Sequence, residues 1–161
     1  MGVKSLLFVH PLFERMNTMN SNLNTSLNEH SAIPAVGRTL IAVIFFISGF
    51  GKLMAPGATM AYIGSLGLPA PALGLMGALV LELAGAALLV IGYKARVVAL
   101  LLAAYAVVTA LIFHHALADQ NQMFHFLKNL AMAGGLLQVV AFGPGAFSVD
   151  NRRAPAKRVA A

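Results

Sequence analysis

The chain has 161 residues, of which 59% are hydrophobic and only 10% are charged, and its mean hydropathy is +0.81. An average soluble domain carries about 25% charged residues, so this composition argues against a water-soluble globule and indicates a polytopic membrane protein. The chain has no cysteine, which excludes an internal disulfide, a thiol nucleophile and an iron–sulfur cluster held by this chain. The net charge is +6, and basic residues lie between and beyond the apolar blocks. This placement indicates topology signals and contacts with anionic lipids rather than nucleic-acid binding.

The N-terminal segment differs from the rest of the chain. Residues 1–34 are rich in Asn and Ser and show no sustained periodicity, which predicts a flexible polar tail. The apolar patch Ser5–Val9 is too short for a signal-peptide core. This segment leaves three candidate start codons, Met1, Met16 and Met19.

Four apolar blocks follow, at about residues 36–53, 72–92, 97–113 and 123–142, and each is predicted to span a membrane. In the first block only 13 residues separate Arg38 from Lys52, so a flanking charge must either reach the interface or be buried in protein. Gly and Pro interrupt Ala55–Pro71, which predicts a short interfacial or re-entrant helix. The predicted fold is therefore all-α: a membrane four-helix bundle over residues 35–150 and a basic tail at 151–161.

Basic residues predict the orientation of this bundle. They precede the first block, occupy the turn between the second and third blocks, and follow the fourth. The other two connections have none clear of the helix ends. By the positive-inside rule, both termini are predicted to be cytoplasmic.

Glu82 is the one charge in the 21-residue block Ala72–Gly92 and stands at its midpoint. A carboxylate at mid-membrane costs roughly 2.5–3.5 kcal/mol on insertion scales, so it should face a partner or a wet cavity. From a rise of about 1.5 Å per residue, Lys52 and Glu82 lie roughly 21 and 18 Å from the cytoplasmic edge, on adjacent helices. A polar cluster is therefore predicted in the outer half of the bundle, formed by Lys52, Glu82, His114, Lys128 and Asn129.

Two interpretations of this cluster stay open. Lys52 and Glu82 could form a packing ion pair while Lys128 extends toward the interface. The cluster could instead line a pocket for a small amphipathic ligand such as a quinol, with Glu82 as proton or hydrogen-bond acceptor and His114 as proton donor. His115 and His125 also lie near this level, but they flank a loop without ligand spacing, so no metal or haem site is predicted.

Six motifs in order resemble the DoxX family, most closely its YqjF-like bacterial inner-membrane branch. The resemblance covers about Gly37–Asp150. The motifs are ISGFGKL (Ile47–Leu53), LGLP (Leu66–Pro69), LELAGAALLVIGYKAR (Leu81–Arg96), TALIFH (Thr109–His114), FLKNLAMAGG (Phe126–Gly135) and GPGAFSVD (Gly143–Asp150).

This resemblance implies a multi-pass protein of the bacterial inner membrane. It selects the five cluster residues named above and, at the cytoplasmic edge, Arg96 and Asp150. The family is named for a subunit of an archaeal thiosulfate–quinone oxidoreductase. The resemblance therefore implies a quinone-linked subunit that would act on quinone or quinol if it is catalytic. The implied ligand is a quinone, with no covalently bound cofactor. The implied partners are the lipid bilayer and a redox protein, with a homo-oligomer left open.

Two other functions are compatible with the sequence. One is a non-catalytic scaffold or assembly subunit whose buried ion pair only fixes helix register. The other is a small-solute carrier, which the absence of inverted repeats and paired broken helices disfavours.

Overall fold

The computed structural model describes residues 10–20, 22 and 31–153, and all regular structure within these residues is helical. From residue 31 onward the helices are α1 (Ile33–Met54), α2 (Pro56–Ser65), α3 (Pro71–Ile91), α4 (Ala95–Phe113), α5 (Gln120–Phe142) and α6 (Val149–Arg153). Within the described part of the chain, α1, α3, α4 and α5 are long and apolar enough to cross a membrane. The predicted all-α membrane bundle, with its short helix between the first two spans, is confirmed.

Proline and left-handed residues set the helix boundaries. Pro56 and Pro71 each stand in the first turn of a helix, where the missing N–H would have no intrahelical partner. Gly92 ends α3 with φ +70°, and Lys94 has φ +46° immediately before α4. This three-residue turn makes α3 and α4 antiparallel neighbours.

The middle of α3 departs from α-helical geometry. Val80–Gly85 forms a π-helix between the α-helical segments Pro71–Leu79 and Ala86–Ile91. Single π turns within longer helices occur frequently at functional sites. Glu82 lies within this π turn.

The bundle core is built largely from small residues. Ala42, Ala86, Ala99 and Ala110 are fully buried, and α4 and α5 form the most extensive helix pair. Small side chains let membrane helices approach closely and gain van der Waals contact. This contact stabilises helix association in lipid, where the hydrophobic effect does not drive apolar helices together.

The N-terminal segment differs from the expected irregular tail where it is described. Residues 10–20 and 22 are helical, with Leu12, Phe13, Met16 and Met19 exposed. These four residues recur at helical spacing, and their neighbours Glu14 and Arg15 are good helix formers, which explains the helix locally. Residues 1–9, 21, 23–30 and the predicted basic tail from 154 onward lie outside the described residues.

Candidate functional site

Glu82 is brought to the interior by a close approach of α1 and the π turn of α3. A Cβ on Gly49 would come 2.7 Å from Leu83 Cδ2 and 3.2 Å from Glu82 Cβ, so a larger residue there would displace the Leu83 side chain and press on Glu82. The Glu82 side chain is 3% exposed, whereas that of Lys52, at the end of α1, is 25% exposed. The two charges predicted to lie at one level do meet.

The Glu82 carboxylate accepts hydrogen bonds from three side chains. Lys52 Nζ donates to both oxygens, at 2.8 Å to Oε1 and 2.9 Å to Oε2. Tyr105 OH donates to Oε1 at 2.7 Å, and Ser48 Oγ donates to the same oxygen at 3.1 Å. Oε1 thus lies within bonding distance of all three donors, whereas Oε2 accepts only from Lys52 and keeps capacity for one more donor.

The donors are themselves positioned. Ser48 precedes Lys52 by one helical turn and accepts from Lys52 Nζ at 2.7 Å. The Tyr105 ring packs against Phe45, with ring centroids 6.4 Å apart. Ser48, Lys52 and Tyr105 therefore form a connected hydrogen-bond network around Glu82. Such a network is rigid, so it holds the carboxylate in one defined position.

A cavity of about 680 Å³ opens beside this ion pair. Its lining includes the buried apolar residues Phe45, Ile63, Ala106 and Met132. Polar side chains line it as well, so the cavity combines apolar and polar surface, as small-molecule sites of this size do. The helix α2 and the following Leu68–Pro69 contribute another wall, so the short helix predicted between the spans helps to line the cavity.

The rim of the cavity carries His114, His125, Lys128 and Asn129. The rings of His114 and His125 stack with centroids 5.0 Å apart. Gln122 Oε1 lies 2.9 Å from His114 Nδ1, so the Gln122 amide fixes the orientation of this ring. Lys128 Nζ donates to His125 Nδ1 at 3.3 Å. We call this end of the bundle the pocket end, and the end with the Gly92–Lys94 turn the turn end.

The turn end is closed by polar contacts from the C-terminal segment. Asp150 accepts from the backbone N–H groups of Lys94 and Ala95, both at 2.8 Å, and thereby caps α4. Arg96 Nη1 donates to the carbonyls of Val140 and Ala141 at the end of α5. These bonds satisfy backbone N–H groups at the start of α4 and carbonyl groups at the end of α5, which would otherwise have no partner within their helices.

Arg38 completes this closure by burial, which is one of the two alternatives predicted for a charge that flanks the short first block. Its side chain is 1% exposed and donates from Nη2 to Phe147 O at 2.8 Å. Nε and Nη1 have no hydrogen-bond partner among the described residues. Burial of Arg38 and pairing of Lys52 explain how α1 spans a membrane although so few residues separate its two charges.

The structure therefore divides the predicted site residues between two places. Lys52, Glu82, His114, Lys128 and Asn129 all line the cavity, while Arg96 and Asp150 lie at the turn end. Sequence reasoning did not include Tyr105 and Ser48 among the site residues, and it treated His125 as incidental. Ser48 could have been found from its one-turn spacing to Lys52. Among the described residues no group of three or more His, Asp or Glu side chains could hold a metal ion, and His115 bonds to the Ile112 carbonyl instead.

Comparison with known proteins gives two curated relatives and one family. The DoxX family model matches residues 33–115. The chain is 38% identical over 122 residues to "Inner membrane protein YphA" of Escherichia coli (strain K12), covering 73% of this chain and 87% of the relative. It is 34% identical over 116 residues to "Inner membrane protein YqjF" of the same strain, covering 72% of this chain and 88% of the relative. No solved structure is significantly similar to the chain.

Proposed function

This chain is an integral inner-membrane protein of the DoxX family, and we propose that it binds a quinone or quinol in the cavity beside Glu82. In this proposal it serves as the quinone-linked subunit of a membrane redox system. The observation that carries the proposal is a carboxylate buried near the middle of a membrane-spanning helix, on a π turn, in the wall of a 680 Å³ cavity. Charges inside a membrane span are costly, so a site with this arrangement indicates a task beyond packing.

The chemistry of the cavity suits a ring with oxygen substituents. Apolar walls accommodate the ring and its hydrophobic tail, which would enter from the lipid. The free acceptor capacity of Glu82 Oε2 suits the hydroxyl of a quinol, and the ammonium of Lys128 and the amide of Asn129 suit carbonyl or phenolic oxygens. This chain would bind the ring, orient it and hold a proton acceptor beside it, while electrons would pass to or from a separate redox partner.

Mass spectrometry of copurifying lipophilic molecules tests this proposal. Wild type and Glu82→Gln are extracted in matched detergent and compared, with Asp119→Asn as control. Asp119 is an exposed carboxylate that caps α5 through the backbone N–H of Gln122. We expect a quinone with wild type and Asp119→Asn, and its loss from a Glu82→Gln protein that still elutes as a folded species. A wild type that neither copurifies with a quinone nor binds an added one would refute the proposal.

A scaffold role is the second candidate, favoured by the completeness of the Lys52–Glu82 pairing. Buried ion pairs can often be replaced by apolar residues of similar volume without loss of stability. If the ion pair only fixes helix register, the double variant Lys52→Met with Glu82→Leu should fold and support growth under redox stress as the wild type does. A folded double variant that fails under redox stress would argue for the quinone site.

The membrane orientation is a further part of the proposal. At the turn end, Lys94, Arg96, Arg152 and Arg153 are exposed, whereas the link between α4 and α5 has no Lys or Arg. Under the positive-inside rule the turn end and both termini face the cytoplasm. The cavity would then open in the outer half of the inner membrane.

A further inference from the structure

The charged groups that line the cavity do not balance. They comprise two ammonium groups, Lys52 and Lys128, and one carboxylate, Glu82. Lys52 Nζ contacts both oxygens of Glu82, so this pair is internally neutral. Among the described residues Lys128 has no carboxylate within ion-pair distance, and its bonding partner is a neutral ring nitrogen of His125. One positive charge therefore remains at the rim.

Asn129 follows Lys128 in α5, and its side-chain amide has unused hydrogen-bonding capacity. Its side chain is 8% exposed and lines the cavity, yet it forms no hydrogen bond with any described residue. Its polar atoms are not fully enclosed by protein, so they remain reachable from the cavity. A polar ligand atom placed in the cavity would supply the missing hydrogen-bond partner.

From these two observations we propose that the cavity binds its ligand as an anion, with the negatively charged oxygen held by Lys128 and Asn129. This inference rests on the proposed function and specifies the charge state of the ring compound. The favoured ligand class is a quinone or phenol with an acidic hydroxyl that is ionised at neutral pH. Lys52 does not serve this role, because Glu82 already neutralises it.

The position of Lys128 at the rim of the cavity suits a residue that binds the negatively charged oxygen of a ligand. Its side chain is exposed and its ammonium is directed toward His125, one turn nearer the pocket end. A hydrogen bond between an ammonium and an anionic oxygen is roughly twice as strong as one between neutral groups. Near hydrocarbon, competing water is reduced, so the preference for an anion should be larger than at an ordinary protein surface.

The test compares two ligands that differ in charge and little in shape. Lawsone is a hydroxynaphthoquinone that is ionised at neutral pH, and its methyl ether is uncharged. Binding to the full chain in phosphatidylcholine nanodiscs is measured by equilibrium dialysis, with empty nanodiscs correcting for partition into lipid. Wild type, Lys128→Gln and Asn129→Ala are compared, and Lys94→Gln removes an exposed lysine at the turn end as control.

We expect wild type and Lys94→Gln to bind lawsone about 10- to 100-fold more tightly than the ether, the range of a charged hydrogen bond. Lys128→Gln should abolish this preference, because it should weaken the binding of lawsone far more than the binding of the ether. Asn129→Ala should weaken lawsone binding about fivefold. Equal binding of both ligands by wild type, or a preference that persists in Lys128→Gln, would overturn the inference and leave the proposed function standing.

Two other outcomes separate the sources of failure. If wild type binds neither ligand, the quinone proposal fails and this inference fails with it. A different result would be that phosphatidylglycerol in the nanodiscs weakens lawsone binding to wild type but not to Lys128→Gln. A lipid phosphate would then bind at Lys128, and the assignment of this site to a ring compound would be overturned.

Discussion

Removal of Lys52 and removal of Glu82 should lower the free energy of unfolding by different amounts. In Lys52→Met, the Glu82 carboxylate loses the ammonium that contacts both of its oxygens and stays in a site where its side chain is 3% exposed. Breaking a buried ion pair from one side typically costs about 3–5 kcal/mol, because a charge is left uncompensated. Tyr105 and Ser48 still donate to Oε1, so we expect the lower end of this range, about 3 kcal/mol.

Removal of the carboxylate should cost less. In Glu82→Gln the amide oxygen still accepts from Tyr105 and Lys52, and Lys52, which is 25% exposed, can extend its ammonium toward the membrane interface. We expect a loss of about 1–2 kcal/mol, the scale of weakened hydrogen bonds. The double variant Lys52→Met with Glu82→Leu removes both charges, so it should be more stable than Lys52→Met alone.

Reversible unfolding in mixed micelles with increasing sodium dodecyl sulfate measures these free energies. Lys94→Met serves as control, because Lys94 is exposed at the turn end and should change stability by no more than about 0.5 kcal/mol. The reasoning is refuted if Lys52→Met destabilises the protein no more than Glu82→Gln does. A double variant less stable than Lys52→Met would equally contradict it.

Three further predictions concern the turn end and the orientation. Asp150→Ala removes two 2.8 Å bonds that cap α4 and should destabilise the protein by about 1–2 kcal/mol in the same unfolding assay; an unchanged midpoint would contradict the cap. Gly92→Ala should lose about 2 kcal/mol or more, because φ is +70° and the new Cβ would overlap a buried guanidinium and a serine. Gly77→Ala, in open space, should cost nothing, and equal effects of the two changes would contradict this. Since the chain has no cysteine, Leu117→Cys should react with an impermeant maleimide in intact cells and Arg153→Cys only after permeabilisation; the reverse pattern would invert the topology.

The fold was predictable because each membrane-spanning helix appears in the amino-acid sequence as one long run of apolar residues. Backbone groups in hydrocarbon must bond within their own helix, so four long apolar blocks can form little else. The pairing of Lys52 with Glu82 was also predictable, since a fixed rise per residue converts sequence distance into depth. Depth alone does not tell which way a side chain faces.

The features that sequence reasoning missed depend on rotation about a helix axis. Tyr105 reaches Glu82 only because α4 turns that face toward the π turn, and the π turn itself has no simple sequence signature. Burial of Arg38 was one of two alternatives that the sequence left open, but its partner, the Phe147 carbonyl of the C-terminal segment, was not foreseen. The sequence separation of that contact is 109 residues, which local patterns do not reveal.

The two ends of the bundle differ in a way that bears on ligand access. At the turn end, backbone bonds to Asp150, the carbonyl contacts of Arg96 and the buried Arg38 close the space between the helices. At the pocket end, the described helices α1, α3, α4 and α5 line a cavity that the short α2 covers. The helix α2 packs against α3 and is joined to α4 by the contact of the Tyr62 and Phe113 rings and by a 3.3 Å bond from Tyr62 OH to Phe113 O. This exposed hydrogen bond is worth about 1 kcal/mol, so its loss should let the cover open more readily. A ligand should therefore enter and leave beside α2. Tyr62→Phe should speed its exchange without changing which ligand is bound, and an unaltered dissociation rate would exclude α2 as the cover.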